Sequence, residues 1–126
     1  MKEKIIQGDP GTEFYTDEGC LIFELSNSAD DEAASIARAR LEPGITTKLH
    51  RLRGVAERYL ILKGIGRMEV GDLPSGDVKP GDVVLIPPGC PQRITNTGNE
   101  ELLFLAVCTP RFTPDIYEVI GETSEQ

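Results

Sequence analysis

The reading of this chain turns on the stretch Gly44-Ile-Thr-Thr-Lys-Leu-His50-Arg-Leu52-Arg-Gly-Val-Ala-Glu57-Arg-Tyr59-Leu-Ile-Leu-Lys-Gly64. His50 and Leu52 are two residues apart, so on a strand they share a face. Arg53-Gly54 is a turn. Arg58-Tyr-Leu-Ile-Leu62 is strongly β-forming, which predicts a strand from Glu57 to Lys63 that stops at Gly64-Ile-Gly66. If the two strands pair antiparallel, Glu57 comes opposite His50 or Leu52, near enough to share a ligand. A second stretch has the same character: Gly81-Asp-Val-Val-Leu-Ile-Pro87-Pro-Gly89-Cys90-Pro-Gln92-Arg-Ile-Thr-Asn96. Its β-branched run Val83 to Ile86 ends at Pro87-Pro88-Gly89, and residues 92–96 alternate.

Outside these stretches, 13 Gly and nine Pro cut the chain into short segments, the pattern of an all-β sandwich or barrel. Strands are expected at Cys20 to Leu25, Ser35 to Leu41, Arg67 to Val70 and Leu102 to Cys108. Pro74 to Asp77 and Lys79 to Asp82 read as turns. Only the tail reads as helical. Thr113 suits an N-cap, Pro114 the first turn and Asp115 the helix dipole, which predicts a helix from Pro114 to Ile120 ending at Gly121, with residues 122–126 frayed.

The 126 residues fit one domain, with a core at 35–110, an N-terminal arm or strand at 1–18, and the C-terminal helix and tail at 113–126. A composition 39% hydrophobic and 27% charged argues against disorder. No run of 18 apolar residues marks a membrane span, and Met1-Lys-Glu-Lys4 is followed by no apolar signal region. The net charge of −8 argues against nucleic-acid binding. Cys20, Cys90 and Cys108 form no CxxC pair, and reduced thiols in a cytoplasmic protein are the expectation.

With the two stretches in hand, the chain resembles a small single-domain cupin. That family's first motif is Gly, five residues, His-x-His, three or four residues, Glu, six residues, Gly. Gly44, His50, Glu57 and Gly64 match it in register. The second motif is Gly, five residues, Pro-x-Gly, two residues, His, three residues, Asn, matched by Gly81, Pro87, Gly89 and Asn96. The resemblance covers about residues 35–110. It implies a double-stranded β-helix, or jelly-roll barrel, of two antiparallel sheets around a pocket, and it implies a homodimer. It also implies that three His and the Glu hold one divalent metal such as Mn, Fe, Ni or Zn.

The sequence departs from that pattern at two of the four ligand positions. Leu52 stands where the second His belongs and Gln92 where the third does. Leu has no lone pair to offer, whereas Gln92 keeps a carbonyl oxygen. The metal ligands that remain are His50, Glu57 and Gln92, completed by water. Leu52, Tyr59 and Cys90 are the further candidate pocket residues. Plainer readings stand beside these: Gln92 as a polar filler bonded to backbone, Tyr59 as core, Cys90 and Cys108 as small packed hydrophobes.

Two functions follow. In one, the protein is a metal-dependent isomerase, lyase or dioxygenase acting on a sugar or small organic acid, with the metal as Lewis acid and Glu57 as the catalytic proton-exchanging group. In the other, it is a non-catalytic, metal-free cupin that binds or senses a small molecule.

Overall fold

In the computed structural model, which describes residues 1–17 and 19–121, eleven strands form two facing antiparallel sheets. The strands are β1 (Phe14–Tyr15), β2 (Leu21–Ser26), β3 (Ser35–Leu41), β4 (His50–Leu52), β5 (Ala56–Lys63), β6 (Gly66–Val70), β7 (Gly76–Val78), β8 (Val83–Ile86), β9 (Gln92–Asn96), β10 (Leu102–Thr109) and β11 (Tyr117–Val119). The first sheet runs β1-β2-β3-β10-β5-β8 and the second β11-β4-β9-β6-β7. This is the all-β, two-sheet barrel that the Gly- and Pro-punctuated sequence predicts.

Period-two alternation builds the interior. Along β5, Glu57, Tyr59 and Ile61 are buried while Arg58 and Leu60 are only partly so. Along β9, Gln92, Ile94 and Asn96 are buried, with Arg93 and Thr95 between them. Leu41, Ile61, Met68, Ile86, Ile94, Leu102 and Phe104 meet between the sheets as the main core, where the Tyr59 and Phe104 rings lie 4.4 Å apart. A second, smaller cluster of Leu52, Val55 and Cys108 closes one end, covered by Phe112, Ile116 and Tyr117.

The motif residues that carry no chemistry hold the turns. Gly64 adopts φ +82°, and a Cβ there would lie 2.5 Å from the Glu101 carbonyl oxygen, so only glycine fits. Asn96 is buried at the end of β9. Its Nδ2 donates to the Leu41 and Glu100 carbonyls at 2.9 Å each, and its Oδ1 accepts from Gly98 N at 2.9 Å. Those three bonds pin the turn that follows.

Three expectations are corrected. The C-terminal helix does not form. Pro114–Ile116 is one 3-10 turn, Thr113 places no side-chain cap on it, and Tyr117–Val119 is the strand β11. Tyr117, Glu118 and Val119 pair with Leu52, Arg51 and His50, so β4's open edge and its apolar cover outweigh a weak local helix signal. Within the expected Pro74–Asp77 turn, Gly76 and Asp77 belong instead to β7, paired with Met68 and Arg67. Glu57 does not lie opposite His50 or Leu52, because β4 and β5 belong to different sheets; its partners are Ile86 and Cys108. Frayed residues at 122–126 would lie outside the described residues.

Candidate functional site

Both sheets contribute to the site in register. On the second sheet His50 pairs directly with Gln92, and both side chains are buried. On the first sheet Glu57 pairs directly with Cys108, and both are again buried. The two pairs meet across the interior. Gln92 Nε2 donates to Glu57 Oε1 at 2.6 Å, and the Cys108 thiol donates to Glu57 Oε2 at 3.8 Å. The carboxylate is thus bonded from both sheets, which offsets part of the cost of burying its charge.

His50 Nδ1 lies 2.7 Å from the Lys48 carbonyl oxygen. A carbonyl can only accept, so Nδ1 is the donor in this bond. The Tyr117 ring stacks on the imidazole, 5.0 Å between centroids and 25° between planes. Among the described residues two buried side-chain polar atoms have no hydrogen-bond partner, Arg38 Nε and, in this site, Gln92 Oε1. A buried carbonyl left this way is costly, and a site that binds something is one physical reason to keep it.

The remaining candidates sit further out. Leu52 faces inward on the side of His50 and belongs to the apolar end cluster with Val55 and Cys108. Tyr59 packs on Phe104 in the main core. Cys90 is half-buried, bonds the Pro91 carbonyl at 3.7 Å, and has its thiol pushed up by burial and by Asp72. Two neighbours were not singled out for the site from sequence. Cys108 was read only as packing, although its position in the alternation of β10 puts it inward. Burial first, and then the Glu57 charge, push its thiol up to about 12, so it is protonated. Tyr117 carried no signal, because its place over His50 follows from a strand the sequence did not show.

A family model described as "Cupin domain" matches residues 37–108. The chain is a cupin. A Methanocaldococcus jannaschii protein of uncharacterised function is 34% identical over 109 residues, covering 85% of this cupin and 86% of the relative. A glucose-6-phosphate isomerase of Pyrococcus horikoshii is 41% identical over 123 residues, and the match covers 85% of this cupin but 65% of the isomerase. The crystal structure of a predicted oxalate decarboxylase from Thermotoga maritima superimposes with a TM-score of 0.66 at 34% identity, covering 72% of this cupin and 80% of that chain.

The divalent metal implied by the resemblance can be tested against the donors in place. Of the four family positions, Leu52 supplies no lone pair. Gln92 turns its N–H, not its carbonyl, toward Glu57. Cys108, the nearest extra sulfur, is a protonated thiol engaged with the same carboxylate. Among the described residues, no three His, Cys, Asp or Glu side chains are placed to hold a metal ion. As arranged, this cupin's donors do not fit a tightly held metal.

Proposed function

We propose that this cupin is a small-molecule-binding protein whose interior site, built from His50, Glu57 and Gln92, holds a small polar ligand through hydrogen bonds. The observation that carries the reading is the buried, unpartnered Oε1 of Gln92, a residue that pairs with His50 on its sheet and bonds Glu57 through its Nε2. A ligand donor would satisfy it and extend the existing Glu57–Gln92–Cys108 network. Binding to the folded state alone would raise the melting temperature with ligand concentration. A screen of neutral, cationic and anionic small molecules by thermal shift, repeated on Gln92→Leu, tests the reading. Shifts that persist unchanged in the variant would place binding elsewhere and overturn it.

A second reading is a divalent-metal-dependent enzyme acting on a sugar or small organic acid, with Glu57 exchanging protons. Its support is the burial of His50, Glu57 and Gln92 together, with relatives named as an isomerase and a predicted decarboxylase. It requires the Gln92 amide to turn its oxygen toward the ion. Elemental analysis of protein purified without a His tag separates the readings. Stoichiometric Mn, Fe, Ni or Zn that disappears in Glu57→Ala supports the enzyme, and the absence of metal and of any metal-induced thermal shift refutes it.

The homodimer is retained as part of the proposal. Leu85 is 70% exposed, Val83 56% and Leu62 43%, on the outer side of the edge strand β8 and its neighbour β5, an apolar strip that a second copy would cover. A monomeric mass by light scattering would remove this part. A cytoplasmic location is likewise proposed, supported by three cysteines that form no disulfide. No helix of the described residues is long and apolar enough to cross a membrane.

A further inference from the structure

The site lies toward one end of the barrel, and residues 110–119 close that end. Away from it the interior is filled: beyond Glu57 on β5 come the buried Tyr59 and Ile61, and beyond Gln92 on β9 come Ile94 and Asn96. Toward the end of the barrel the site meets the apolar cluster of Leu52, Val55 and Cys108, packed against Phe112, Ile116 and Tyr117. Tyr117 also stacks on His50, and the Cys108 thiol within that cluster bonds Glu57. One short segment therefore lies over the histidine and over the thiol that holds the carboxylate.

The segment is a strap fastened to both sheets. Where β10 leaves the first sheet, Arg111 N–H donates to the Glu32 carbonyl at 3.2 Å, Phe112 N–H donates to Ser35 Oγ at 2.9 Å, and the Phe112 carbonyl accepts from Asn27 Nδ2 at 2.9 Å. The strap then crosses to the second sheet and ends as β11, the edge strand beside β4. There Arg53 N–H donates to the Ile116 carbonyl at 2.8 Å, Ile120 N–H donates to the Leu49 carbonyl at 2.9 Å, and Arg51 Nε donates to Glu118 at 2.9 Å. β10 is eight residues long and paired on both sides, whereas β11 is three residues long, half-buried, and paired with β4 at the sheet's edge. Releasing so short a ladder costs far less than unfolding the barrel.

We propose, resting on the ligand-site reading above, that residues 112–119 are the gate of the interior site. β11 peels from β4 about the anchor at Arg111 and Phe112, lifting Tyr117 from His50 and Ile116 from the Leu52 cluster, and a small molecule enters through the opened end. His50, Glu57 and Gln92 are all buried, so a ligand reaches them only when their cover moves. The strap joins the two properties a gate needs: contact with the site and a fastening weaker than the fold around it.

Two buried free thiols read the gate and the whole fold separately, Cys108 under the strap and Cys20 in the main core. Methyl methanethiosulfonate, a small neutral thiol reagent, is added at pH 8, and each modified cysteine is located by peptide mass spectrometry. In the parent the gate opens rarely, and both thiols stay unmodified through the reaction time. Glu118→Pro removes an N–H from the ladder, because the bonded Arg53–Ile116 and Leu49–Ile120 pairs flank Arg51–Glu118 at the two-residue spacing of bonded antiparallel pairs. The expected result is Cys108 modified at least about tenfold faster than Cys20 in Glu118→Pro, and about threefold or more faster in Tyr117→Ala. Gly64→Ala, just past the opposite end of β5, lowers the stability of the whole fold and should raise both reactions alike. If Glu118→Pro does not fold, Tyr117→Ala decides alone. Cys108 reacting no faster than Cys20 in the folded strap variants would show that the barrel opens only as a whole, and would overturn the gate. The reagent reports entry whether or not a ligand is found. A strap that opens, beside a thermal-shift screen with no Gln92-dependent hit, leaves the movement standing and removes the ligand reading; Gln92-dependent hits with Cys108 still closed remove the gate and leave the site.

Discussion

Replacing Glu57 and Gln92 by leucine, singly and together, measures whether the polar pair is kept for stability or for binding. Gln92→Leu removes a short N–H donor from a buried carboxylate; a hydrogen bond to a charged group is worth about 1.5–3 kcal/mol. Removing the orphaned Oε1 at the same time returns about 1 kcal/mol, so the net loss is about 1–2 kcal/mol. Glu57→Leu leaves both ends of the buried Gln92 amide unmet, a loss of about 2–3 kcal/mol. The double variant puts leucine against leucine beside Ile86 and Ile94, where a well-packed apolar replacement of a buried polar pair is neutral or stabilising by about 1–4 kcal/mol. At roughly 3–5 °C per kcal/mol for this chain length, each single variant melts about 3–15 °C below the parent and the double variant at or above it. Thermal and urea unfolding of the four proteins close the cycle, with an expected coupling of about 3 kcal/mol or more. A double variant that loses the sum of the two single losses would show the residues acting independently, and would refute the reasoning that this pair is retained at the expense of stability.

Three further outcomes are expected. The Cys108 thiol, held near 12, stays unlabelled by a thiol reagent at pH 8 in the native state and reacts on unfolding. Because its folded value lies above that of the unfolded chain, the folded state keeps a proton the unfolded state releases, so stability falls between about pH 9 and 12 by up to about 1.4 kcal/mol per pH unit, and Cys108→Ala flattens that slope in urea titrations. Gly64→Ala, at φ +82° with backbone 2.5 Å from the new methyl, lowers stability by more than about 1 kcal/mol, and a melting temperature equal to the parent would contradict the geometry. Arg51 holds the Glu118 carboxyl below its usual range, so β11's grip on β4 is complete above about pH 4.5 and weakens as pH falls through the lowered value; amide exchange at Ile120, whose N–H bonds the Leu49 carbonyl, should then accelerate before the core strands do.

The parts of the fold written in local chemistry were legible. Alternation over Ser35–Leu41, Ala56–Lys63 and Gln92–Asn96 marks which side chains point inward, and glycine with positive φ at positions 44, 64, 81 and 89 marks the turns between them. What failed was the choice of partners. The turn at Arg53-Gly54 suggests a hairpin, yet β4 and β5 part to opposite sheets, so Glu57 meets Cys108, 51 residues away in sequence. No local rule contains that pairing. The tail failed for the same reason. Thr113-Pro114-Asp115 is a fair helix start, and the competing term, an open edge on β4 with Leu52 and Val55 needing cover, is visible only in three dimensions. Cys108 lay within reach, since counting by twos from Leu102 puts it inward. Its chemical neighbour was hidden until the sheet order was known.

The two departures from the family motif are each answered from the facing sheet. Leu52, on the second sheet, shares an apolar cluster with Cys108 of the first, which Phe112, Ile116 and Tyr117 cover. Gln92, also on the second sheet, meets the carboxylate of Glu57 on the first at hydrogen-bond distance. Apolar faces apolar, and donor faces acceptor. Had the interior merely lost two imidazoles, Glu57 would stand buried against groups unable to donate, at a cost of several kcal/mol. Instead the carboxylate is bonded and the unmet atom is the carbonyl oxygen of Gln92. The unsatisfied valence of the site therefore lies on a neutral acceptor that any hydroxyl or ammonium can meet.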